Sequence, residues 1–271
     1  MTYNQITLNG LDLINDNYFC TISGAFDMEK TIIANDLSID GQSFARSKIN
    51  PKNLVLNIAI LRLNETNVLN VNKAIYGNDL KTIALDTVEI GKVSGRIEIK
   101  SRVRGDSANL LSLTLTMPDP YWYSSEFQRI RLGATYSSGL IFSPSTHIKL
   151  WGNDGIKFGA ATGESGTIVN SGNTDTYPQI TVMGACSGIT VINVTTNQSF
   201  SYAGNILEGD VLTANFSPEQ AIALYVGSRL EQIPITGDLM KCVPGNNVFT
   251  FARNSTENIQ HCEVSILSRW I

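Results

Sequence analysis

Hydrophobic and polar positions alternate along most of this chain with a period of two, the pattern of half-buried β-strands. Leu54, Leu56, Ile58 and Ile60 alternate with Val55, Asn57 and Ala59, which gives a strand with one strongly apolar face. Upstream, Asp40-Gly41 is a turn pair, because Gly takes positive φ freely and Asp bonds its own backbone. Leu37, Ile39 and Phe44 around it are spaced for a hairpin, and Asn50-Pro51 marks the next break. Residues 1–60 read as strands joined by turns.

One stretch breaks the period. Val68, Leu69, Val71 and Ile75 form an apolar stripe at helical spacing. Asn64 suits the N-cap, Glu65 the first turn and Gly77-Asn78 the exit, so a helix is predicted over about 64–76. A long hairpin follows over about 93–117. Arg96, Glu98, Lys100, Arg102 and Arg104 are predicted on one strand face and Ile97, Ile99 and Val103 on the other. Gly105-Asp106 opens the turn, and Leu111, Leu113, Leu115 and Met117 then alternate with Ser112, Thr114 and Thr116. A hairpin of that length either crosses a large sandwich or projects as an arm onto another subunit.

Pro118, Pro120 and Pro144, with several serines, place a boundary within 118–145. Short alternating runs then recur between turns at Asn153-Asp154-Gly155, Asn170-Ser171-Gly172-Asn173, Glu208-Gly209-Asp210 and Pro244-Gly245-Asn246-Asn247, which suggests a second, β-sandwich unit. Residues 218–226 fit either a helix or a strand.

Length and composition agree. The 271 residues fit two domains, with one large domain as the alternative. Apolar residues at 42% and charged residues at 16% exclude a disordered chain. A net charge of −4 excludes a broadly basic nucleic-acid binder. The charge is uneven: residues 1–135 are neutral and residues 136–271 carry all of it. The N-terminus has no basic region followed by an apolar one, and the most apolar stretch, 54–63, is about half a membrane span. The expectation is a soluble chain made in a cytosol, without membrane insertion, its four cysteines (Cys20, Cys186, Cys242, Cys262) buried as free thiols.

Candidate chemistry is sparse. His147 and His261 are the only histidines, and no Cys/His cluster has metal-ligand spacing. No phosphate loop, dinucleotide fingerprint or nucleophile elbow is present. Asp175, Glu208 and Asp210 are candidate glycosidase carboxylates, better read as turn residues. The Arg96 to Arg104 face lacks interleaved aromatics for base stacking, so a solvated face or a subunit contact fits it better than nucleic acid. Trp122, Trp151 and Trp270 are candidate sugar platforms, with Trp151 and Trp270 retained as weak contacts; Tyr121-Trp122-Tyr123 reads better as boundary packing. No catalytic residue, cofactor or metal is expected.

Four segments, in order, resemble the distal tail protein family of long flexible-tailed bacteriophages and related phage-tail-like bacteriocins. They are Tyr18-Phe19 to Gly24 with Asp40-Gly41; residues 115–123 (LTMPDPYWY), with Asp119, Pro120 and Tyr121; Asn170, Gly172 and Pro178, leading into a strand; and Pro244-Gly245-Asn246-Asn247. The resemblance implies no enzyme. It implies a ring-forming N-terminal β-sandwich over 1–126, with one helix and a projecting hairpin, and a galectin-like or carbohydrate-module-like sandwich over 127–271. Six copies would form a ring joining the tail tube protein to the tip or receptor-binding proteins, assembled in the bacterial cytoplasm and placed at the virion tail tip. Arg96, Ile97, Ile99, Lys100, Arg102, Arg104, Leu111, Leu113 and Leu115 are then the expected subunit interface. The alternatives are a carbohydrate-binding module contacting cell-wall sugars and a polysaccharide depolymerase.

Overall fold

The structure, a computed structural model, describes residues 2–36, 42–77, 79–105, 107, 109–133, 164–184, 186–207, 209–217, 224–226, 229–231, 239–252 and 261–271. The Asp40-Gly41 and Asn153-Asp154-Gly155 turns, Asp106, His147, Trp151, Glu208 and most of 218–226 lie outside them. The fold is mainly β with one helix, in two compact units: Met1–Ser125 with Arg269–Ile271, and Glu126–Ser268.

The first unit contains β1 (Tyr3–Leu8), β2 (Leu11–Asp12), β3 (Tyr18–Ser23), β4 (Lys30–Asp36), β5 (Gln42–Ile49), β6 (Lys52–Ile60), α1 (Glu65–Ile75), β7 (Lys81–Thr87), β8 (Gly91–Arg104), β9 (Leu110–Met117), β10 (Trp122–Ser124) and the chain's last strand, Arg269–Trp270. Its ladder runs β2-β1-β7-β8-β9-β6-β3, all antiparallel. β4 and β5 pair only with each other among the described residues. The predicted strand at 54–60 is β6, and its even-numbered side chains from Lys52 to Ile60 are all buried. They meet Leu111, Leu113, Leu115 and Met117 of β9 in one core, with Ile6, Leu8, Ile83, Leu85, Val93 and Ile97.

α1 forms as its caps dictate. The Asn64 side chain accepts from the Asn67 backbone N–H at 2.8 Å, Glu65 and Lys73 suit the helix dipole, and Gly77 follows at φ 101°. The buried stripe is Asn67, Val71, Ala74 and Ile75. Leu69, predicted in that stripe, is instead exposed, while Asn67 is anchored inward: its Nδ2 donates to the Arg62 carbonyl at 2.8 Å and its own carbonyl accepts from the Tyr18 hydroxyl at 3.2 Å.

The second unit contains β11 (Gln128–Leu132), β12 (Ser165–Asn170), β13 (Gln179–Met183), β14 (Cys186–Asn193), β15 (Gln198–Ile206), β16 (Val211–Asn215), β17 (Leu224–Val226), β18 (Arg229–Glu231), β19 (Gly245–Ala252) and β20 (His261–Ile266). Two sheets, β11-β20-β13-β16-β17-β18 and β12-β19-β14-β15, enclose a single apolar core. Three buried asparagines tie the connections down. Asn170 Nδ2 donates to the Thr174 and Cys242 carbonyls, and its Oδ1 accepts from Gly172 N–H. Asn193 Nδ2 donates to the Lys241 carbonyl at 2.8 Å. Asn247 Nδ2 donates to the carbonyls of Val243 and Gly245, and its Oδ1 accepts from Val243 N–H. The motif positions Asn170, Gly172 and Gly245 therefore belong to a structural network, with Pro244 next to Gly245 in the chain, and Pro178 precedes β13, a place that needs no N–H donor.

Two substitutions test these supports by urea denaturation. Gly24 has φ +80°, and an added Cβ would lie 2.5 Å from the Asn53 carbonyl oxygen, so Gly24→Ala is expected to cost about 2 kcal/mol or more. Asn247→Ala removes three hydrogen bonds from a buried side chain to the part-buried backbone of Val243 and Gly245 and is expected to cost about 1–3 kcal/mol. A change below about 0.5 kcal/mol in either would contradict the corresponding account.

Candidate functional site

Catalytic geometry does not assemble among the described residues. Asp175 is committed to Lys241, with Oδ2 2.7 Å from Nζ. No three His, Cys, Asp or Glu side chains among the described residues are grouped to hold a metal. None of the four cysteines is in a disulfide and all are buried, and burial pushes the thiols of Cys20, Cys242 and Cys262 up to about 12, far from a reactive thiolate. A cleft near Asp27, Asn50, Lys52 and Pro120 encloses about 170 Å³, well under the roughly 300–1,000 Å³ of small-molecule sites.

The predicted interface strand is β8, and the structure corrects its parity and its setting. The β8–β9 hairpin is no free arm: β7 flanks it on one side and β6 on the other. The first half of β8 pairs with β7 (Lys81 opposite Ile97), and the second half pairs with β9 (Glu98 opposite Thr116). A bulge between Ile99 and Ser101 leaves Lys100 without an opposite residue and inverts the alternation beyond it. Arg102 and Arg104 thereby fall opposite Leu113 and Leu111, on the inner side at the sheet's rim, while Val103 turns outward, 60% exposed. Arg102 Nη2 donates to Asn72 Oδ1 of α1 at 2.9 Å, and Lys100 pairs with Glu98 at 2.6 Å. Arg96 stays exposed. Ile97, Leu111, Leu113 and Leu115 are buried in the unit's own core, and Ile99 is half-buried against it.

What β3, β6, β9 and the second half of β8 do present is their other face. Its rows, read across the ladder, are Phe19–Ala59–Leu110, Thr21–Asn57–Ser112–Val103, Ser23–Val55–Thr114–Ser101 and Asn53–Thr116–Glu98. Glu98 is the one ionisable side chain in these rows, and its charge is met by Lys100. Phe19 and Leu110 are 53% and 43% exposed. Such a surface, uncharged and partly apolar, is unusual for a sheet that faces only water. The four strands alternate in direction, so β3 and the far half of β8, the two edges, run antiparallel to each other. Neither edge has a further strand partner among the described residues.

The 115–123 motif closes the first unit. Trp122 is fully buried and its Nε1 donates to the Ala25 carbonyl at 2.6 Å. The Tyr123 hydroxyl donates to Asp119 Oδ2 at 2.7 Å, and the Arg269 guanidinium lies 3.6 Å from the centre of the Tyr121 ring. Trp270 pairs across the ladder with Trp122 and is nearly buried, so it offers no face to a sugar. Trp151 lies outside the described residues.

Lys52 escaped the sequence reading, although it continues the inward alternation of Leu54, Leu56 and Ile58. Its Nζ donates to the same Ala25 carbonyl at 3.0 Å. Burial lowers its pKa to about 8, against a weaker opposing pull from Asp27. The unfolded lysine titrates near 10.4, so between about 8 and 10.4 the unfolded chain binds the extra proton and stability rises with pH. Below about 8 the protein carries the full cost of a buried ammonium. Lys52→Met leaves Ala25 its bond from Trp122 and is expected to match or exceed the parent in stability at pH 7, then lose ground to it by pH 10. Paired urea midpoints at the two pH values check this; parallel pH dependence would refute it.

No family model matches the sequence, and no curated protein matches it. Solved structures do match in fold. The SPP1 Dit protein, described as a paradigm of the hub adsorption apparatus of phages infecting Gram-positive bacteria, aligns over 98% of this chain and 99% of its own, at 11% identity and a TM-score of 0.66. A chain of the phage P2 baseplate in its activated, calcium-bound conformation aligns over 97% of both chains at 10% identity and a TM-score of 0.47. This chain thus shares, over nearly its whole length, the fold of the SPP1 Dit protein.

Proposed function

We propose that this chain is a structural component of the distal end of a phage-type tail, with six copies closing a ring through their first units. The ring would join the tail tube protein to the tip or receptor-binding proteins, and the second unit would be a galectin-like sandwich with no catalytic role. The observation that carries the reading is the likeness to the SPP1 Dit protein over 98% of this chain. The first unit supports it. A sheet with an even number of alternating strands offers two antiparallel edges, so edge-to-edge joining of copies extends one antiparallel ladder. That contact is heterologous, and it closes into a ring when the rotation between copies divides a full turn.

The same geometry limits how the seam is tested. Removing residues 96–113 would take out strands at the centre of the core, so it would unfold the unit rather than release a monomer. Thr21 of β3 and Val103 of β8 lie at the two edges with exposed side chains. Thr21→Asp with Val103→Asp sets like charges at the proposed seam and leaves the core untouched. Light scattering is expected to give six times the chain mass for the parent and the single-chain mass for the double variant. A parent that stays single at high concentration would sink the ring, and rings that persist in the folded double variant would sink the seam.

A further inference from the structure

The second unit carries a basic patch that none of the roles above uses. Phe127 and two residues of β11, Arg129 and Arg131, follow each other at alternate positions, and all three are exposed. Phe127 is 47% exposed, and the Arg129 guanidinium lies 5.6 Å from its ring centre. On β20, Glu263 lies opposite Arg131 and Ser265 opposite Arg129; Glu263 is largely covered, its carboxylate 3.6 Å from Arg129 Nη1 and 3.3 Å from Arg131 Nε. Each arginine brings five N–H donors; Arg131 uses one, on Glu263, and Arg129 lies beyond hydrogen-bond distance of it.

The setting makes this placement informative. Residues 126–268 contain seven Lys or Arg against eleven Asp or Glu, and two of the seven stand on this one five-residue strand. One carboxylate lies beside two guanidinium groups, hydrogen-bonded to Arg131 alone, and leaves these three side chains with a net positive charge. Planar guanidinium forks suit carboxylate or phosphate oxygens, and the exposed Phe127 ring beside them suits the C–H face of a sugar.

We propose that Phe127, Arg129 and Arg131 form a binding site for an anionic glycan, a sugar polymer bearing carboxylate or phosphate groups. The site stands on its own geometry and does not depend on ring formation. The full chain is tested by affinity electrophoresis in gels holding polygalacturonate, poly(glycerol phosphate) or neutral dextran. The parent is expected to be retarded by at least one anionic polymer and not by dextran, and the polymer that retards it identifies the acidic group. Arg129→Gln with Arg131→Gln is expected to weaken that binding at least tenfold, and Phe127→Ala to weaken it severalfold. A charge-matched control in the first unit, Lys30→Gln with Lys92→Gln, both exposed, is expected to leave it unchanged. The proposal fails if the parent ignores both anionic polymers or binds dextran equally. It also fails if the arginine pair can be replaced without effect, or if the control variant weakens binding as much. All the altered side chains are exposed, and a matching thermal melt confirms that each variant is folded.

Discussion

The first unit is organised by one strand doing two jobs. β8 enters the ladder beside β7 and, at the end of its fourteen residues, leaves it beside β9. A strand of typical length would serve one sheet; this one carries the chain from one side of the core to the other, and the two sets of apolar side chains meet across it. Gly95 lies where the strand passes Trp122 and Met117, and any Cβ there would be 2.2 Å from Met117 Cε and 3.4 Å from Trp122 Cε3. The absence of a side chain at that point is what leaves room for the end of the Met117 side chain. The bulge at Lys100 then frees the far half of the strand from the core's alternation, so that charge collects at the rim and the outward face stays neutral.

Much of this was legible in the sequence, for reasons that can be named. Period-two alternation located β6 and both strands of the β8–β9 hairpin, because β6 and β9 each bury one face throughout and β8 does so as far as Ile97. Asn64 and Gly77 marked the helix ends, because capping is chemistry local to a few residues. The bulge was not legible: nothing in the run Glu98 to Val103 distinguishes an unpaired lysine from a paired one, and the shift depends on how β9 presents its carbonyls. The error propagated, since one extra residue exchanges the two faces. Trp270 was misread for a similar reason. A two-residue strand has no period, and its partner, Trp122, is far away in sequence.

The residues now of most interest had signals that composition obscured. Val55, Asn57 and Ala59 were already the outward set of β6, and the lack of charge among them was as informative as the leucines opposite. Phe127, Arg129 and Arg131 alternate visibly, but they sit in a proline-flanked stretch that reads as a boundary, where alternation is discounted. Charge summed over half a chain also hides a local pair of arginines inside an acidic unit. The two surfaces divide the electrostatics cleanly: the first unit presents a neutral sheet, suited to contact between like copies, and the second concentrates cations on one strand.

Chain connectivity explains how a ladder can be finished by residues so remote in sequence. Trp122 pairs with Trp270 and Tyr123 with Arg269, so the whole of Glu126–Ser268 is inserted between two neighbouring strands of the first unit. Closing that gap directly would carry the entropy of a very long loop. The inserted unit removes most of it, because its own first and last strands are partners: Gln128 lies opposite Ile266 and Leu132 opposite Cys262. Once β11 and β20 have zipped, the ends that lead back to Trp122 and Trp270 are held together, and the remaining closure is that of a short loop. On loop-closure entropy alone the less costly order is for the β11–β20 ladder to form first, because the pairing of Trp122 with Trp270 then closes only a short loop.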